Sequence, residues 1–498
     1  MGVSSESFSG YSKSELVIGL VGAVGTDLDG VIKVFSDRLR GFSYEAQTVH
    51  ISEQIIKKIA AVKRYSKTDK AARINALMDA GNEARRLTGD NAILAFGVAA
   101  RISQERDKPL EPKARSAFLI RSLKHPDEIH ALRDIYGDGF YVVGVYEEKD
   151  LRTKHLIEDD QISLPKAKKL VERDEDEHME FGQRTRDTFQ LADFFVDAGA
   201  PEEHRKNCVQ RILDILFGQV YNTPTFDEFA MFMAFSSALR SADLSRQVGA
   251  VIARDDEILS MGANDCPKFG GGLYWPTMNY KGVVADAPKG RDHTRGCDSN
   301  KIEKDKIVDD ILGSVSDFLK EGVDEAVVKR SIARSSINDI TEYGRVVHAE
   351  MEAILSCARQ NMSTRGATLY CTTFPCHNCA KHIVASGIRR VVYVEPYPKS
   401  KALQFHDDSI KLDLTTSGKR TTSKTKVLFE PFVGIGARRF AELFSIHTGS
   451  GKPLRRKDAE GKTLTIARKS AKLRVQMLPV SYLEKELEAS NIFLNHIR

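Results

Sequence analysis

Apolar runs and amphipathic segments alternate along the first part of the chain, a pattern that predicts an α/β fold. The apolar run at 16–21 predicts a buried strand, and the amphipathic segment at 28–39 predicts the helix after it. Runs at 116–122 and 139–146 predict further strands, separated by a helix with the acidic first turn Pro126-Asp127-Glu128. This part is therefore predicted to form a parallel sheet covered by helices.

The second part of the chain predicts another sheet with its own helices. A helix with an apolar stripe at 226–241 precedes a β-hairpin that turns at Asp255-Asp256. After a segment of helical character at 301–333, the pattern predicts helices at 348–360 and 380–386 and strands at 367–373, 391–394 and 426–432.

The chain length of 498 residues exceeds what one ordinary core can bury, so two domains are expected. The turn residues Asn222-Thr223-Pro224-Thr225 predict a boundary between a first domain at 1–222 and a second domain at 223–498. The long segment around 276–342 is predicted to be a helical insertion in the second domain.

A glycine loop, Gly22 to Thr26, follows the first predicted strand and precedes the first helix. In that context backbone N–H groups can bind phosphate at a helix N-terminus, so Gly22, Gly25 and Thr26 are candidate nucleotide-binding residues. Thr26 stands where a P-loop has its lysine, and Asp27 follows it. The loop resembles a degenerate P-loop of a nucleotide kinase, or else forms a tight turn in a doubly wound sheet.

Composition narrows the class of protein. Hydrophobic residues make up 41% of the chain and charged residues 29%, and no apolar run approaches the ~20 residues of a membrane span. The N-terminus has no signal-peptide pattern, so a cytoplasmic protein without a membrane partner is predicted. Seven cysteines in such a chain predict thiols and metal ligands, not disulfides. The net charge of +5 does not indicate a dedicated nucleic-acid binder, and the basic stretch at 452–474 predicts either a phosphate-facing or RNA-facing arm or a solvated surface.

Two short motifs carry the candidate chemistry: His348-Ala349-Glu350 and Pro375-Cys376-His377-Asn378-Cys379. One imidazole and two thiolates form a three-ligand set, the pattern of a catalytic zinc site with a position left for water. The predicted helix carries the chain roughly 18 Å away from His348, and the strand after it returns the chain about 20 Å. Cys376 is therefore expected beside His348, with Glu350 as a proton carrier. Taken alone, the Cys-x-x-Cys pair could also be a redox pair or half of a zinc knuckle.

Together these residues resemble the signature of the cytidine deaminase superfamily, H-x-E followed by P-C-x-x-C. The flank at 369–375 resembles the dCMP deaminase branch. The resemblance implies a three-layer α/β/α deaminase domain with Zn²⁺ on His348, Cys376 and Cys379 and with Glu350 as the catalytic acid and base. It also implies that Asn264 contacts the sugar. One departure is Glu352, since relatives often carry Asn there.

Two further sets of residues are candidates. Lys399 follows a predicted strand beside the site and could neutralise a substrate phosphate. Cys266, His293 and Cys297 could hold a second, structural zinc, although a fourth ligand is not evident.

Joined to a defective kinase-like N-terminal domain, the whole chain resembles the bacterial anti-phage dCTP deaminases. The resemblance implies hydrolysis of free dCTP, and of dCMP, to the deoxyuridine nucleotide, in a homo-oligomer regulated by an allosteric nucleotide or an inhibitory small RNA. The alternatives are a housekeeping dCMP deaminase that supplies dUMP, a polynucleotide cytidine deaminase, and a nucleotide sensor without turnover.

Overall fold

The structure is a computed structural model that describes residues 14–62, 69–108, 110–175, 182–320, 322–396, 400–412, 423, 425–447, 454–477 and 479–497. Two six-stranded sheets organise these residues. None of the helices in the described ranges combines the length and the apolar character that crossing a membrane requires.

The first sheet is parallel except at one edge. Its strands, in spatial order, are β14 (Gly434–Ile435), β5 (Phe194–Asp197), β4 (Phe140–Tyr146), β1 (Leu16–Val21), β3 (Ser116–Arg121) and β2 (Glu45–His50). Only the short β14 pairs in the antiparallel direction. Alternate residues of β1 face two different cores, Leu16 and Ile18 one and Val17 the other, because successive side chains of a strand point to opposite faces.

The helices around the first sheet cover both of its faces. They are α1 (Leu28–Arg40), α2 (Lys57–Ile59), α3 (Lys70–Thr88), α4 (Ile93–Gln104), α5 (Pro126–Tyr136), α6 (Lys149–Glu158), α7 (Leu164–Glu175), α8 (Thr185–Phe189) and α9 (Glu202–Leu216). A capping box between His125 and Glu128 starts α5, as its acidic first turn predicts.

The second sheet is mixed. Its strands, in spatial order, are β12 (Ile410–Leu412), β13 (Val427–Pro431), β11 (Arg390–Glu395), β10 (Thr368–Thr373), β6 (Gly249–Arg254) and β7 (Glu257–Ala263). The hairpin of β6 and β7 turns at Asp255 and Asp256, both with positive φ, as predicted. The main helices of this part are α10 (Phe226–Ala238), α14 (Ala349–Arg359), α15 (His377–Ala385) and α16 (Ala402–Phe405).

Three layers form around this second sheet. Ala250 and Ile252 of β6 pack with α14 and α15 on one face, whereas Val251 and Ala253 pack with α10 on the other. At Gly262 a Cβ atom would overlap the backbone of Ala349, so the glycine lets β7 approach the first turn of α14 closely. The mixed α/β class, the parallel strands of the first sheet and the three layers around the second sheet are thus as predicted, whereas the kinase-like character of the first part stays a prediction.

The segment around 276–342 has the predicted helical character. It contains a small ribbon of β8 (Thr277–Met278) and β9 (Val284–Ala285), followed by α11 (Asp292–Arg295), α12 (Ser299–Val315) and α13 (Glu325–Ala333). Most of its side chains are exposed, and Val308 is the buried residue of α12.

The C-terminal residues return to the first sheet. β14 joins its edge, α17 (Ala437–Phe444) follows, and α18 (Pro479–Leu494) packs against α4 and α5. Buried Arg106 pairs there with Glu15 and with Glu486 of α18. The division of the chain into domains at residue 222 stays a prediction. The C-terminal residues of the predicted second domain, however, pack into the same core as the first sheet.

Candidate active site

The three predicted zinc ligands meet at the ends of two helices. His348 precedes α14 and Cys376 precedes α15, each as the N-terminal cap residue. Nδ1 of His348 lies 3.4 Å from Sγ of Cys376 and 3.3 Å from Sγ of Cys379. Within the described residues this is the one group of three or more possible ligands whose donor atoms all lie within 4.8 Å of one another.

Protons are distributed unequally among these ligands: the hydrogen bond with Cys376 and burial raise the pKa of the Cys379 thiol well above its usual value. A hydrogen bond from Cys379, the nearby His348 and the backbone lower the pKa of the Cys376 thiol to about 4 against the opposing effect of burial. The hydrogen bond with Cys376 raises the pKa of His348 to about 9. Imidazole and thiolates are donors that zinc prefers, and binding would release the protons they share. The residues present therefore fit a three-ligand zinc site.

Glu350 lies in the first turn of α14, and its carboxyl group is buried beside the ligands. Burial raises the pKa of Glu350, with the charge of Cys376 adding to the effect. The buried Cys371 hydrogen-bonds to Glu350 from β10, and burial raises the pKa of that thiol well above its usual value. Glu352, the departure noted in the sequence, instead pairs with Arg359 and does not line the cavity.

A cavity of about 570 Å³ opens beside the ligand set. His348, Glu350 and Cys376 line it, and so does Asn264, whose amide binds the loop before β6 by accepting from the Val248 backbone and donating to the Arg246 carbonyl. A sugar contact from Asn264 stays a prediction. Lys399 lies outside the described residues, so its predicted phosphate contact also stays a prediction.

Three cavity-lining residues and a carboxylate behind them, Glu395, were not identified from the sequence. Arg186 of α8 and Arg246 both reach Oε1 of Glu395, and Thr373 donates to Oε2 of the same carboxylate at 3.0 Å. Glu395 could have been found, because it ends a strand parallel to β10, and ligands bind beyond the carboxyl ends of such strands. Arg186 had no such signal, since it lies far away in the sequence.

The glycine loop lines a separate cavity of about 750 Å³ between β1, α3 and α6. Its backbone N–H groups contact protein carboxylates: Val24 donates to Asp174 at 2.8 Å and Asp27 to Glu147 at 2.9 Å. Gly25 has a φ of 86°, and a Cβ there would overlap the Arg152 backbone. The nucleotide-binding roles of Gly22, Gly25 and Thr26 stay predictions, and Asp174 would compete with a phosphate for the loop.

A second zinc site is not assembled from the residues suggested for it. Cys266, His293 and Cys297 do not group within ligand distance in the described part of the chain, and His293 instead lies 3.3 Å from Asp286. Burial raises the pKa of the Cys266 thiol to about 11, which disfavours the thiolate.

The fold and the site together define a protein with a three-residue metal-ligand group and a buried carboxyl group at one cavity, the donor set of a catalytic type of zinc site. The model of the cytidine and deoxycytidylate deaminase zinc-binding region matches residues 224–395. The chain is 33% identical over 172 residues to the deoxycytidylate deaminase of Enterobacteria phage T2, covering 34% of this chain and 79% of that protein. It is 24% identical over 207 residues to the deoxycytidylate deaminase of Homo sapiens, covering 41% of this chain and 79% of the relative.

Among solved structures, the apo dCMP deaminase from cyanophage S-TIM5 aligns with a TM-score of 0.22 and 18% identity, covering 42% of this chain and 100% of that one. The chain belongs to the cytidine and deoxycytidylate deaminase family. Its reaction class is nucleotide deamination, and its predicted cofactor, zinc, is confirmed.

Proposed function

We propose that this chain hydrolyses free deoxycytidine nucleotides, dCTP and dCMP, to deoxyuridine nucleotides and ammonia, and that depletion of dCTP serves anti-phage defence. The observation that carries the reaction is the buried carboxyl group of Glu350 beside the ligand set of His348, Cys376 and Cys379 at one cavity. The defence role rests on the resemblance of the whole chain to two-domain anti-phage dCTP deaminases.

His348, Cys376 and Cys379 would hold zinc, which when bound supplies a Lewis acid that makes water nucleophilic near neutral pH. Glu350 accepts a proton as the water oxygen adds to C4 of cytosine, and delivers it to N3. It then carries the second proton to the exocyclic nitrogen, so that the C4–N4 bond breaks and ammonia leaves. The burial of Glu350 limits the contact of its carboxyl group with bulk water during these transfers.

A housekeeping dCMP deaminase is the second candidate. The relatives from phage T2 and Homo sapiens are named deoxycytidylate deaminases, and that observation favours dCMP as substrate. The first-sheet region lies largely outside the family match, and a housekeeping enzyme would not require it.

The test is incubation of the zinc-loaded full chain with dCTP, dCMP, CTP, deoxycytidine and a cytosine-containing single strand, with ammonia and uracil products measured for each. Turnover of dCTP, with or without dCMP, supports the proposal, and turnover of dCMP alone favours the housekeeping reaction. Activity on the strand alone would overturn the substrate class. Phage challenge of bacteria expressing the wild type or Glu350→Ala tests the defence role.

A further inference from the structure

The deaminase cavity is walled by more than the deaminase sheet. Asn300 and Thr341 of the insertion contribute to it, and so does Arg186 from the region of the first sheet. Arg186 lies outside residues 224–395, the part that the family model matches. The described structure thus brings a cation from a distant part of the chain to the active-site wall.

Arg186 is held in a defined position. Its Nε and Nη2 atoms donate to Oε1 of Glu395 at 2.8 and 2.6 Å, and its side chain is only 19% exposed. The short helix that carries it is fixed to the first sheet, because the Arg184 backbone donates to the Lys124 carbonyl and Phe189 is buried. Glu395 is fixed from the other side by Thr373.

The charge at this point of the wall is positive. Arg186 and Arg246 together outweigh the single carboxylate of Glu395, and Arg246 is 45% exposed with one longer contact of 3.4 Å to it. Of the other acidic residues on the wall, Asp243 and Asp298 accept backbone N–H groups, Asp292 pairs with Arg345, and Glu350 lies beside the zinc ligands. An anion entering the cavity would therefore be drawn to the two arginines.

The separation suits one nucleotide. Glu395 accepts a hydrogen bond from Thr373, and Cys376 lies three positions further along the chain. The backbone between Thr373 and Cys376 therefore spans at most about 11 Å. A base placed against Glu350 and the zinc ligands would leave its 5′-phosphate within reach of this wall. Arginine is the side chain best suited to bind phosphate, through paired N–H groups of fixed geometry.

We propose that Arg186, positioned by Glu395 and assisted by Arg246, binds a phosphate of the deoxycytidine nucleotide. This inference rests on the proposed function. The first-sheet region then completes the substrate site of the deaminase and selects nucleotides over nucleosides. Binding of the phosphate shifts the two guanidinium groups from Glu395 toward the substrate.

Steady-state kinetics of the zinc-loaded full chain on dCMP, dCTP and deoxycytidine test this assignment. Arg186→Gln is expected to raise KM for both nucleotides roughly 10- to 100-fold while leaving deoxycytidine turnover and zinc content unchanged. Arg186→Lys should recover part of the loss. The matched control is Arg184→Gln, at the N-terminal cap of the same helix, since Arg184 is exposed, pairs with Asp187 and does not line the cavity. Unchanged KM values in Arg186→Gln, or equal losses on all three substrates, would overturn the assignment.

Calorimetric titration with dCMP separates this inference from the proposed function. If the wild type binds dCMP but no deoxycytidine compound is deaminated, the proposed function fails, and weaker binding by Arg186→Gln still supports the phosphate contact. Equal affinity of the wild type and Arg186→Gln for dCMP, or no dCMP binding by either, overturns the phosphate contact.

Discussion

The hydroxyl oxygens of Tyr146 and Tyr393 lie 3.3 Å apart and join the two sheets, although 247 residues separate them in the chain. Tyr146 ends β4 of the first sheet, and Tyr393 lies in β11, two residues before Glu395. Burial raises the pKa of Tyr146 to about 12, so this contact is made by two neutral hydroxyl groups at physiological pH.

We predict that Tyr146→Phe lowers the free energy of unfolding by about 1–3 kcal/mol, because the buried Tyr393 hydroxyl loses its partner. The double variant with Tyr393→Phe should lie closer to the wild type, since no hydroxyl is then left unpaired. Chemical denaturation followed by circular dichroism measures both. Tyr280→Phe, at a side chain that is 93% exposed, is the control and should change stability by less than about 0.5 kcal/mol. Additive effects of the two substitutions would contradict the contact.

For the proton carrier, Glu350→Ala is expected to lower kcat by roughly 10²- to 10⁴-fold while zinc stays bound, because a carboxylate that moves protons is lost and the ligands are not. The matched control is Glu352→Gln on the same helix, which should retain activity because Glu352 pairs with Arg359 away from the cavity. Metal analysis and product assays decide the matter. Appreciable deamination by zinc-loaded Glu350→Ala would contradict the assignment of Glu350 as the proton carrier.

Metal content gives a third prediction: one zinc per chain. Cys376→Ser should lose both zinc and turnover, since a ligand of the assembled group is removed. Cys297→Ser, at an exposed free thiol, should retain both. Two zinc ions per wild-type chain, one of them lost in Cys297→Ser, would show that the second site forms after all.

The free energy of unfolding is expected to fall in acid, in part because His125 becomes protonated. Burial lowers the pKa of His125 below its usual 6.5, with Arg85 and Arg184 adding to the effect and Glu128 and Asp127 opposing it. The unfolded chain therefore binds a proton near pH 6.5 that the folded protein takes up only at lower pH. This contribution to the free energy of unfolding is complete above pH 6.5 and is lost as the pH falls below it, by at most about 1.4 kcal/mol per pH unit.

The variant that checks this is His125→Asn, because Asn keeps an acceptor for the N-terminus of α5 but does not titrate in this range. Its unfolding free energy, compared with that of the wild type from pH 7.5 to 5, should show a shallower decline. Parallel curves would mean that other groups cause the acid dependence.

In the glycine loop, Asp174→Asn is predicted to tighten the binding of ATP, because it removes the carboxylate that accepts the Val24 N–H where a phosphate would bind. ATP is chosen because the deaminase cavity is proposed to take cytosine. Equilibrium dialysis measures the change, with Asp79→Asn, in the half-buried pair with Arg173, as the control. If neither the wild type nor Asp174→Asn binds ATP, the prediction of a nucleotide at Gly22, Gly25 and Thr26 is contradicted.

Much of the local structure could be predicted from the sequence. The strand at Leu16–Val21, the hairpin turn at Asp255-Asp256 and the helix after His348 all depend on periodicity and on turn or cap residues, which act over a few positions. The meeting of His348 with Cys376 and Cys379 was also predictable, because one helix and one returning strand are nearly equal in length.

Contacts between distant segments were decided by the tertiary structure alone. The sequence determined the two sheets, the zinc ligand set and the position of Glu350, since each depends on short-range spacing. The return of α18 to α4, the Asp174 carboxylate at the glycine loop and the Arg186 side chain at Glu395 depend instead on how the two sheets pack. No local pattern encodes such contacts, because they are selected by burial and charge pairing between surfaces that meet only after the chain has folded.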